Sequence, residues 1–183
     1  MPLTAKTVSL RAHATCTPPA ALALACAVGF DADGDLRLSY RFSGHLTDLL
    51  IPARSAPFAT DGLWQHTCCE AFIAAVDAPD YHEFNFSPAT TWAAYRFTAY
   101  RERDLAWQPP AAPQIACTHS TNQLQLDACL PANLLPPGHR LQISLTAVSE
   151  TLAGDKRYWA LHHAGERPDF HLRDSFILEL ERP

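Results

Sequence analysis

The chain has 183 residues, of which 48% are hydrophobic and 18% are charged, a composition that excludes intrinsic disorder and fits one folded domain. Its net charge of −5, with only 14 Lys and Arg residues, gives no basic surface for nucleic acid or for an anionic membrane. No apolar run approaches the roughly 20 residues of a membrane-spanning helix.

An apolar stretch at residues 20–29 is the first predicted element. It resembles the core of a secretory signal, but the basic residues before it are scattered, and Pro18 and Pro19 precede it. The turn sequence DADGD (residues 31–35) and an alternating segment follow, as in a hairpin. We therefore interpret the stretch as a strand. We expect a cytoplasmic protein whose cysteines are thiols, namely Cys16, Cys26, Cys68, Cys69, Cys117 and Cys129.

Period-two alternation of apolar and polar residues recurs along the rest of the chain, whereas helical periodicity does not. Prolines cluster between the alternating segments, where a missing amide donor harms no strand pairing. Two runs, residues 46–50 and 132–135, are long enough only for single helical turns. The alternation predicts strands near residues 21–29, 35–43, 68–76, 80–87, 91–100, 113–119, 122–130, 140–150, 157–163 and 174–181.

This succession of strands predicts an all-β fold. Because no linker or internal repeat divides the chain, residues 1–183 are expected to form a single domain. The expected architecture is an antiparallel two-sheet β-sandwich of jelly-roll type.

The segment YHEFNFSP (residues 81–88) carries the most informative polar pattern. Alternation places Phe84 and Phe86 on one face of the strand and Glu83, Asn85 and Ser87 on the other. Such a row presents hydrogen-bonding groups at about 7 Å intervals, which suits the successive hydroxyls of a ligand. An ordinary solvated face of a sheet gives the same pattern.

The following strand adds aromatic residues. If residues 88–91 form the hairpin connection, Trp92, Arg96 and Tyr100 share a surface with Glu83 and Asn85. Aromatic rings beside charged hydrogen-bonding groups are suited to sugars, because the ring packs on the C–H face and the polar groups bind the hydroxyls.

Two further segments repeat this combination of residues. LWQHTCCEAFI (residues 63–73) places Trp64 in a loop before a strand that contains Glu70. In RYWALHH (residues 157–163), alternation places Trp159 and His163 on one face and Tyr158 on the other.

The segments LWQHTCCEAFI, YHEFNFSPATTWAAYRFTAYR and YWALHHAGERPDFH together resemble DOMON-like domains related to family 9 carbohydrate-binding modules. The likeness spans roughly residues 20–181, and its most specific part is the Glu-Phe-Asn-Phe-Ser-Pro element. It implies a β-sandwich with a ligand site on one sheet face or at its rim. Matched by motif, the implied site residues are Trp64, Glu70, Glu83, Asn85, Arg96 and Trp159.

These observations predict a non-catalytic protein that binds a soluble saccharide or a related polyol. Stacking is expected from Trp64, Trp92 or Trp159, and hydrogen bonds from Glu70, Glu83, Asn85 and Arg96.

Five alternatives remain open. Glu70 and Glu83 would serve a glycosidase if held about 5–9 Å apart, and the polar strip would also suit a protein-interaction module. His162, His163, Asp169 and His171 are weak candidates for a metal site. The triplet Asp31, Asp33 and Asp35 resembles part of a calcium loop without its downstream Glu. Some DOMON domains bind haem through a methionine, but the only methionine here is Met1, which leaves bis-histidine ligation.

Overall fold

The structure is a computed structural model that describes residues 5–16 and 22–183, and within these ranges it contains twelve strands. Its only helices in the same ranges are single 3-10 turns at Leu63–Gln65, Ala132–Leu134 and Arg173–Ser175. None of these short helices is able to cross a membrane. The strands are β1 (Lys6–Ala12), β2 (Leu22–Phe30), β3 (Leu36–Gly44), β4 (Cys68–Ala75), β5 (Tyr81–Phe86), β6 (Trp92–Ala99), β7 (Glu102–Arg103), β8 (Gln114–His119), β9 (Gln123–Leu130), β10 (Arg140–Glu150), β11 (Lys156–Ala160) and β12 (Leu178–Glu181).

All strand pairings are antiparallel, and they follow one continuous path that folds into two layers at β1. Sheet I has the order β1-β2-β3-β9-β8. Sheet II has the order β7-β6-β5-β4-β10-β11, and β12 pairs with the first half of β10. Lys6–Leu10 of β1 pairs with β2 and Arg11–Ala12 pairs with β11, so this strand joins the two sheets.

The main core lies between the two sheets and is built from alternate residues of their strands. Sheet I contributes Leu38, Tyr40 and Phe42, and sheet II contributes Phe84 and Phe86, all fully buried. Burial of such large apolar side chains is the main stabilising contribution in a sandwich of this kind. The predicted single-domain β-sandwich agrees with this arrangement.

The predicted strands correspond closely to the observed ones, with three exceptions. Alternation missed β1 and the two-residue β7. The predicted strand at residues 174–181 begins with a 3-10 turn, so only Leu178–Glu181 pairs with β10. The helical turn expected at residues 132–135 is confirmed, whereas residues 46–50 contain only a hydrogen-bonded turn and a bridge.

None of the six cysteines forms a disulfide. Cys69 packs into the inter-sheet core, and the thiol of Cys68 points to the opposite face, where it lies 3.8 Å from Asn85 Oδ1.

In the acidic turn at residues 31–35, the carboxylate of Asp31 forms contacts within the turn. It accepts hydrogen bonds from the backbone N–H groups of Asp33 and Asp35 and pairs with Arg37.

Candidate functional site

The outer face of sheet II, turned away from the main core, carries a second cluster of aromatic and polar side chains. On β4, Glu70 and Phe72 point to this face, because their neighbours Cys69, Ala71 and Ile73 lie in the core. On β5 the outer residues are Tyr81, Glu83 and Asn85, as the alternation predicted. The apolar part of the cluster comprises Phe72, Ala74, Tyr81, Ala93, Tyr95, Phe97 and Phe176, with Leu63 and Phe170 packed against it.

The predicted partners of Glu83 on the next strand are wrong. Phe86 pairs with Trp92 and Glu83 pairs with Tyr95, so the connection has five residues, 87–91, instead of the four that the prediction assumed. A shift of one residue moves every side chain of a strand to the opposite face. Trp92 and Arg96 therefore share a face with the core residues Phe86 and Phe84, and the outer face receives Ala93, Tyr95 and Phe97.

Arg96 forms ion pairs on that opposite face. Its guanidinium lies 3.1 Å from Asp80 and 3.7 Å from Asp104, and its strand neighbour across the pair is His82. Trp92 is partly buried and does not line the cavity described below. The structure therefore separates these two predicted site residues from Glu83 and Asn85.

Trp159 is also placed away from the outer face. It is 3% exposed, belongs to the inter-sheet core, and donates a 2.9 Å hydrogen bond from Nε1 to Ser149 Oγ. Its neighbour Tyr158 points the other way and lines the cavity. The predicted opposition of Trp159 and Tyr158 is therefore confirmed, but the outer residue is the tyrosine, and β11 ends at Ala160, before His163.

A cavity of about 790 Å³ opens on the outer face of sheet II. Its floor is formed by β4, β5 and β6, and two loop segments, residues 61–65 and 167–171, form walls. This volume is typical of small-molecule sites. The lining residues are Asp61, Gly62, Trp64, Gln65, Glu70, Phe72, Glu83, Tyr95, Phe97, Arg101, Arg103, Val148, Tyr158, Arg167, Pro168, Asp169, Phe170 and His171.

The cavity brings together three of the seven predicted ligand-binding residues: Trp64, Glu70 and Glu83. Trp64 is 52% exposed, so its ring is available to a ligand. It lies in the 3-10 turn Leu63–Gln65, which begins after Gly62 in the left-handed conformation (φ 78°). Asn85 lies on the same face, but it is fully buried beneath the cavity.

Asn85 supports Glu83 from the neighbouring outer position of β5. Its Nδ2 donates a 2.7 Å hydrogen bond to Glu83 Oε1. Burial raises the pKa of Glu83 to about 7, although this hydrogen bond and the positive charges of Arg101 and Arg103 lower it. A carboxyl group with this pKa changes its charge near neutral pH.

Glu70 occupies the adjacent strand and is buried more completely. Burial raises its pKa well above the usual range, and the negative charge of Glu83 raises it further. Oε2 accepts a 3.3 Å hydrogen bond from Thr146 Oγ1, whereas Oε1 has no partner among the described residues. Because Glu70 pairs with Asn85 and Glu83 lies two residues away, the two carboxyl groups are diagonal neighbours, with Cα atoms about 7–8 Å apart.

His171 approaches Glu83 from the wall, with Nε2 3.8 Å from Oε2. Burial lowers the pKa of His171 to about 4, and the charge of Arg101 acts in the same direction. The imidazole is therefore neutral at pH 7 and forms no ion pair with Glu83. The oxygen of Tyr81 accepts the Arg101 N–H and lies 2.8 Å from His171 Nδ1, an arrangement that favours the Nε2–H tautomer.

Two Arg–Asp pairs hold the walls of the cavity. Arg101 lies 2.9 Å from Asp169, which also accepts hydrogen bonds from Tyr100 OH and from the His171 N–H. At the other loop segment, Arg103 lies 3.7 Å from Asp61 and 4.1 Å above the ring of Tyr95. Burial raises the pKa of Asp169, but the hydrogen bonds from Tyr100, the His171 N–H and Arg101 outweigh it and lower the pKa overall.

The four weak metal candidates do not converge. His162 is exposed, and His163 Nε2 lies 2.9 Å from the backbone oxygen of Arg11. Asp169 and His171 belong to the cavity wall, each with the contacts given above. Among residues 5–16 and 22–183, no group of three His, Cys, Asp or Glu side chains is arranged to hold a metal ion.

Several residues that line the cavity were not predicted from the sequence. Tyr95 and Phe97 stand in a strand that was predicted, and the correct hairpin register would have placed them on the outer face. Arg101 has a left-handed backbone (φ 58°), which no local sequence signal indicates for arginine. The aromatic wall residue Phe170 follows Asp169 in the PDFH motif.

The fold and the site define an antiparallel β-sandwich with an open, partly aromatic cavity on the outer face of one sheet. No family model matches the chain, and no curated protein matches it in sequence.

Solved structures with this fold are similar to nearly the whole chain. One is a protein from Bacteroides uniformis provisionally described as carbohydrate-binding: 14% identity, 97% of this chain and 86% of that chain covered, TM-score 0.70. Another is a family 9 carbohydrate-binding module from Caldicellulosiruptor kristjanssonii in complex with cellotriose, at 9% identity, with 97% of this chain and 82% of that chain covered and a TM-score of 0.58. A family 9 module from the same organism in complex with glucose has 10% identity, with 97% of this chain and 83% of that chain covered and a TM-score of 0.58. At these identities the likeness establishes the shared fold. None of the three carries the DOMON name, so that part of the resemblance stays a prediction.

Proposed function

We propose that the protein binds a saccharide, without catalysis, in the cavity on the outer face of sheet II. One observation carries the proposal: an exposed tryptophan, Trp64, and two buried carboxyl groups, Glu70 and Glu83, line the same 790 Å³ cavity. Aromatic rings pack on the C–H face of a sugar, and carboxyl groups bind its hydroxyls.

The modules from Caldicellulosiruptor kristjanssonii support this proposal, because they share the fold and were solved with glucose and cellotriose. The present cavity differs from the predicted site in its composition. Its aromatic surface comes from Trp64, Tyr158 and Phe170 on the walls and from Tyr95 and Phe97 on the floor.

Calorimetric titration with glucose, cellotriose and a broader panel of monosaccharides and oligosaccharides tests the proposal. We expect at least one saccharide to bind and to raise the melting temperature, since a ligand that binds only the folded state stabilises it. Trp64→Ala should weaken that binding about tenfold, the loss of roughly 1–1.5 kcal/mol of stacking. Trp92→Ala is the matched control, because Trp92 lies outside the cavity. Failure of every saccharide to bind would contradict the proposal.

The non-catalytic part of the proposal has its own test. Aryl glycosides of the sugars that bind should release no phenol on prolonged incubation with the protein. Hydrolysis that is abolished by Glu70→Gln or Glu83→Gln would instead identify a glycosidase acting through these two carboxyl groups.

A further inference from the structure

The floor of the cavity contains a buried oxygen with an unmet hydrogen-bonding capacity. Glu70 is 2% exposed, its Oε1 has no partner among the described residues, and the residue lines the cavity. A buried polar atom without a partner is costly, so such atoms in native structures call for an explanation. A ligand that donates a hydrogen bond to Oε1 removes this cost.

Two of the three arginines that line the cavity, Arg101 and Arg103, are already matched by acids, whereas the carboxyl group of Glu70 on the floor has no cation beside it among the described residues. Arg101 pairs with Asp169, and Arg103 lies between Asp61 and the Tyr95 ring. The charges of these two arginines lower the pKa of Glu83, whereas the electrostatic neighbours of Glu70 are Glu83, the cysteines of β4 and Tyr40. Within the described parts of the chain, neither oxygen of Glu70 forms an ion pair.

We propose that the ligand is an amino sugar, whose protonated primary amine lies between Glu70 and Glu83 and donates a hydrogen bond to Glu70 Oε1. This inference rests on the proposed function and specifies its substrate class. An ammonium group has three N–H donors and a positive charge, so one group can serve two neighbouring carboxylates. A sugar hydroxyl has a single O–H donor and leaves the two carboxyl groups to repel each other when both are ionised.

The surroundings of the two carboxyl groups suit an ammonium group in a second way. Phe72 pairs with Glu83 across the strands, and Phe97 also lies on the floor. Aromatic faces attract cations. Because Arg103 already occupies the face of Tyr95, Phe72 and Phe97 are the rings that would attract the ammonium group. The titratable and charged groups on the same face as the carboxyl pair are Cys68 on β4, Tyr81 on β5, Tyr95 on β6, Tyr158 on β11, and, from the loops, Asp61, Arg101, Arg103, Arg167, Asp169 and His171.

Binding of an amine by this site is coupled to proton release. Burial and the like charge of Glu83 raise the pKa of Glu70, which favours its protonated form in the free protein. A bound ammonium group favours the ionised carboxylate, and the proton leaves to the buffer. A neutral saccharide lacks this charge and leaves the protonation of Glu70 essentially unchanged.

Affinities of matched sugars test the inference: glucose with glucosamine, galactose with galactosamine, and mannose with mannosamine. In at least one pair the amino sugar should bind about 10- to 100-fold more tightly near pH 7, as expected for a charge-assisted hydrogen bond. N-acetylation of the amine should remove the preference, because the acetamide is uncharged. Calorimetry in buffers of different ionisation enthalpy should show proton release for the amino sugar only.

Glu70→Gln tests the assigned residue, since the amide retains the shape of the carboxyl group but cannot ionise. We expect the preference for the amino sugar to fall to about twofold or less, with binding of the neutral partner retained. Glu181→Gln, on β12 and outside the cavity, is the matched control and should retain the preference. If Glu70→Gln does not fold, proton release by the wild-type protein still decides the question.

The outcomes separate this inference from the proposed function. Equal binding of a sugar and its amino partner, or binding without proton release, would overturn the amino-sugar assignment and leave saccharide binding intact. No binding by any member of the three pairs or of the broader panel would overturn both.

Discussion

Asn85 Nδ2 donates a 2.7 Å hydrogen bond to Glu83 Oε1, two residues back on the same strand. Asn85 has no exposed surface, whereas Glu83 lines the cavity. The buried asparagine therefore satisfies one carboxyl oxygen of Glu83, and the other oxygen lies 3.8 Å from His171 Nε2.

Asn85→Ala should test this support. The substitution leaves Glu83 Oε1 buried without a donor, so the free energy of unfolding should fall by about 1–3 kcal/mol. Loss of a hydrogen bond that lowers the pKa of Glu83 should also raise that pKa above its value of about 7. Denaturant unfolding and an NMR titration of the glutamate carboxyl carbons measure the two effects. Asn122→Ala, at an exposed loop position, is the control and should change stability by less than about 0.5 kcal/mol.

The pH dependence of stability provides a second prediction. The pKa of Glu83 is about 7 in the folded protein against an ordinary 4.5, so between these values the folded state holds more protons than the unfolded state. Its contribution is fully present below pH 4.5 and is lost as the pH rises through 7. His171 affects the pH dependence in the opposite direction, because its pKa is about 4 in the folded protein against an ordinary 6.5. Its contribution is present above pH 6.5 and is lost as the pH falls through 4.

Glu83→Gln isolates the first of these effects. Relative to the wild type, the variant should become more stable as the pH rises from about 5 to 8, since it lacks the penalty of ionising a buried carboxyl. Chemical denaturation at several pH values measures the difference. Parallel stability profiles for the two proteins would contradict the raised pKa.

The strands were predictable because alternation is a local property that each buried sheet face imposes on its own sequence. Phe84 and Phe86 had to lie opposite Glu83 and Asn85 on β5, and the structure agrees. The strand β1 was missed because its alternation is short and its role, joining two sheets, depends on pairing with distant strands.

The site was less predictable, because it depends on the register between strands. The connection after Phe86 contains Thr90 with φ 73°, a left-handed conformation that is rare for a β-branched residue. Ser87 and Thr91 form a backbone hydrogen bond across this turn, which sets the pairing of Phe86 with Trp92. No signal in the sequence distinguishes this turn from a loop one residue shorter. Because of that one-residue difference, the outer face carries Tyr95 and Phe97, whereas the prediction had placed Trp92 and Arg96 there.

Asp169 should control the order of one cavity wall. It pairs with Arg101 and accepts hydrogen bonds from Tyr100 and from the His171 backbone. Asp169→Ala should speed amide exchange around His171 and weaken saccharide binding. Global stability should change by no more than about 1 kcal/mol, because partly exposed ion pairs contribute little.

Hydrogen exchange followed by mass spectrometry, together with denaturant unfolding, separates the local effect of Asp169→Ala from the global one. Glu179→Ala is the matched control, because it removes another Arg–carboxylate pair, with Arg140, that does not line the cavity. Unchanged exchange near His171 in Asp169→Ala would show that other contacts hold the wall.

Trp159 and Trp64 should respond to truncation in opposite ways. Trp159 fills the inter-sheet core and donates to Ser149 Oγ, so Trp159→Ala leaves a cavity and a buried hydroxyl without its partner. The free energy of unfolding should fall by about 3–5 kcal/mol. Trp64 is half exposed on the cavity wall, so Trp64→Ala should cost no more than about 1 kcal/mol of stability while it weakens ligand binding. Denaturant unfolding of both variants measures the contrast. Comparable losses of stability would mean that the ring of Trp64 packs as a structural lid over the outer cluster and is not held open for a ligand.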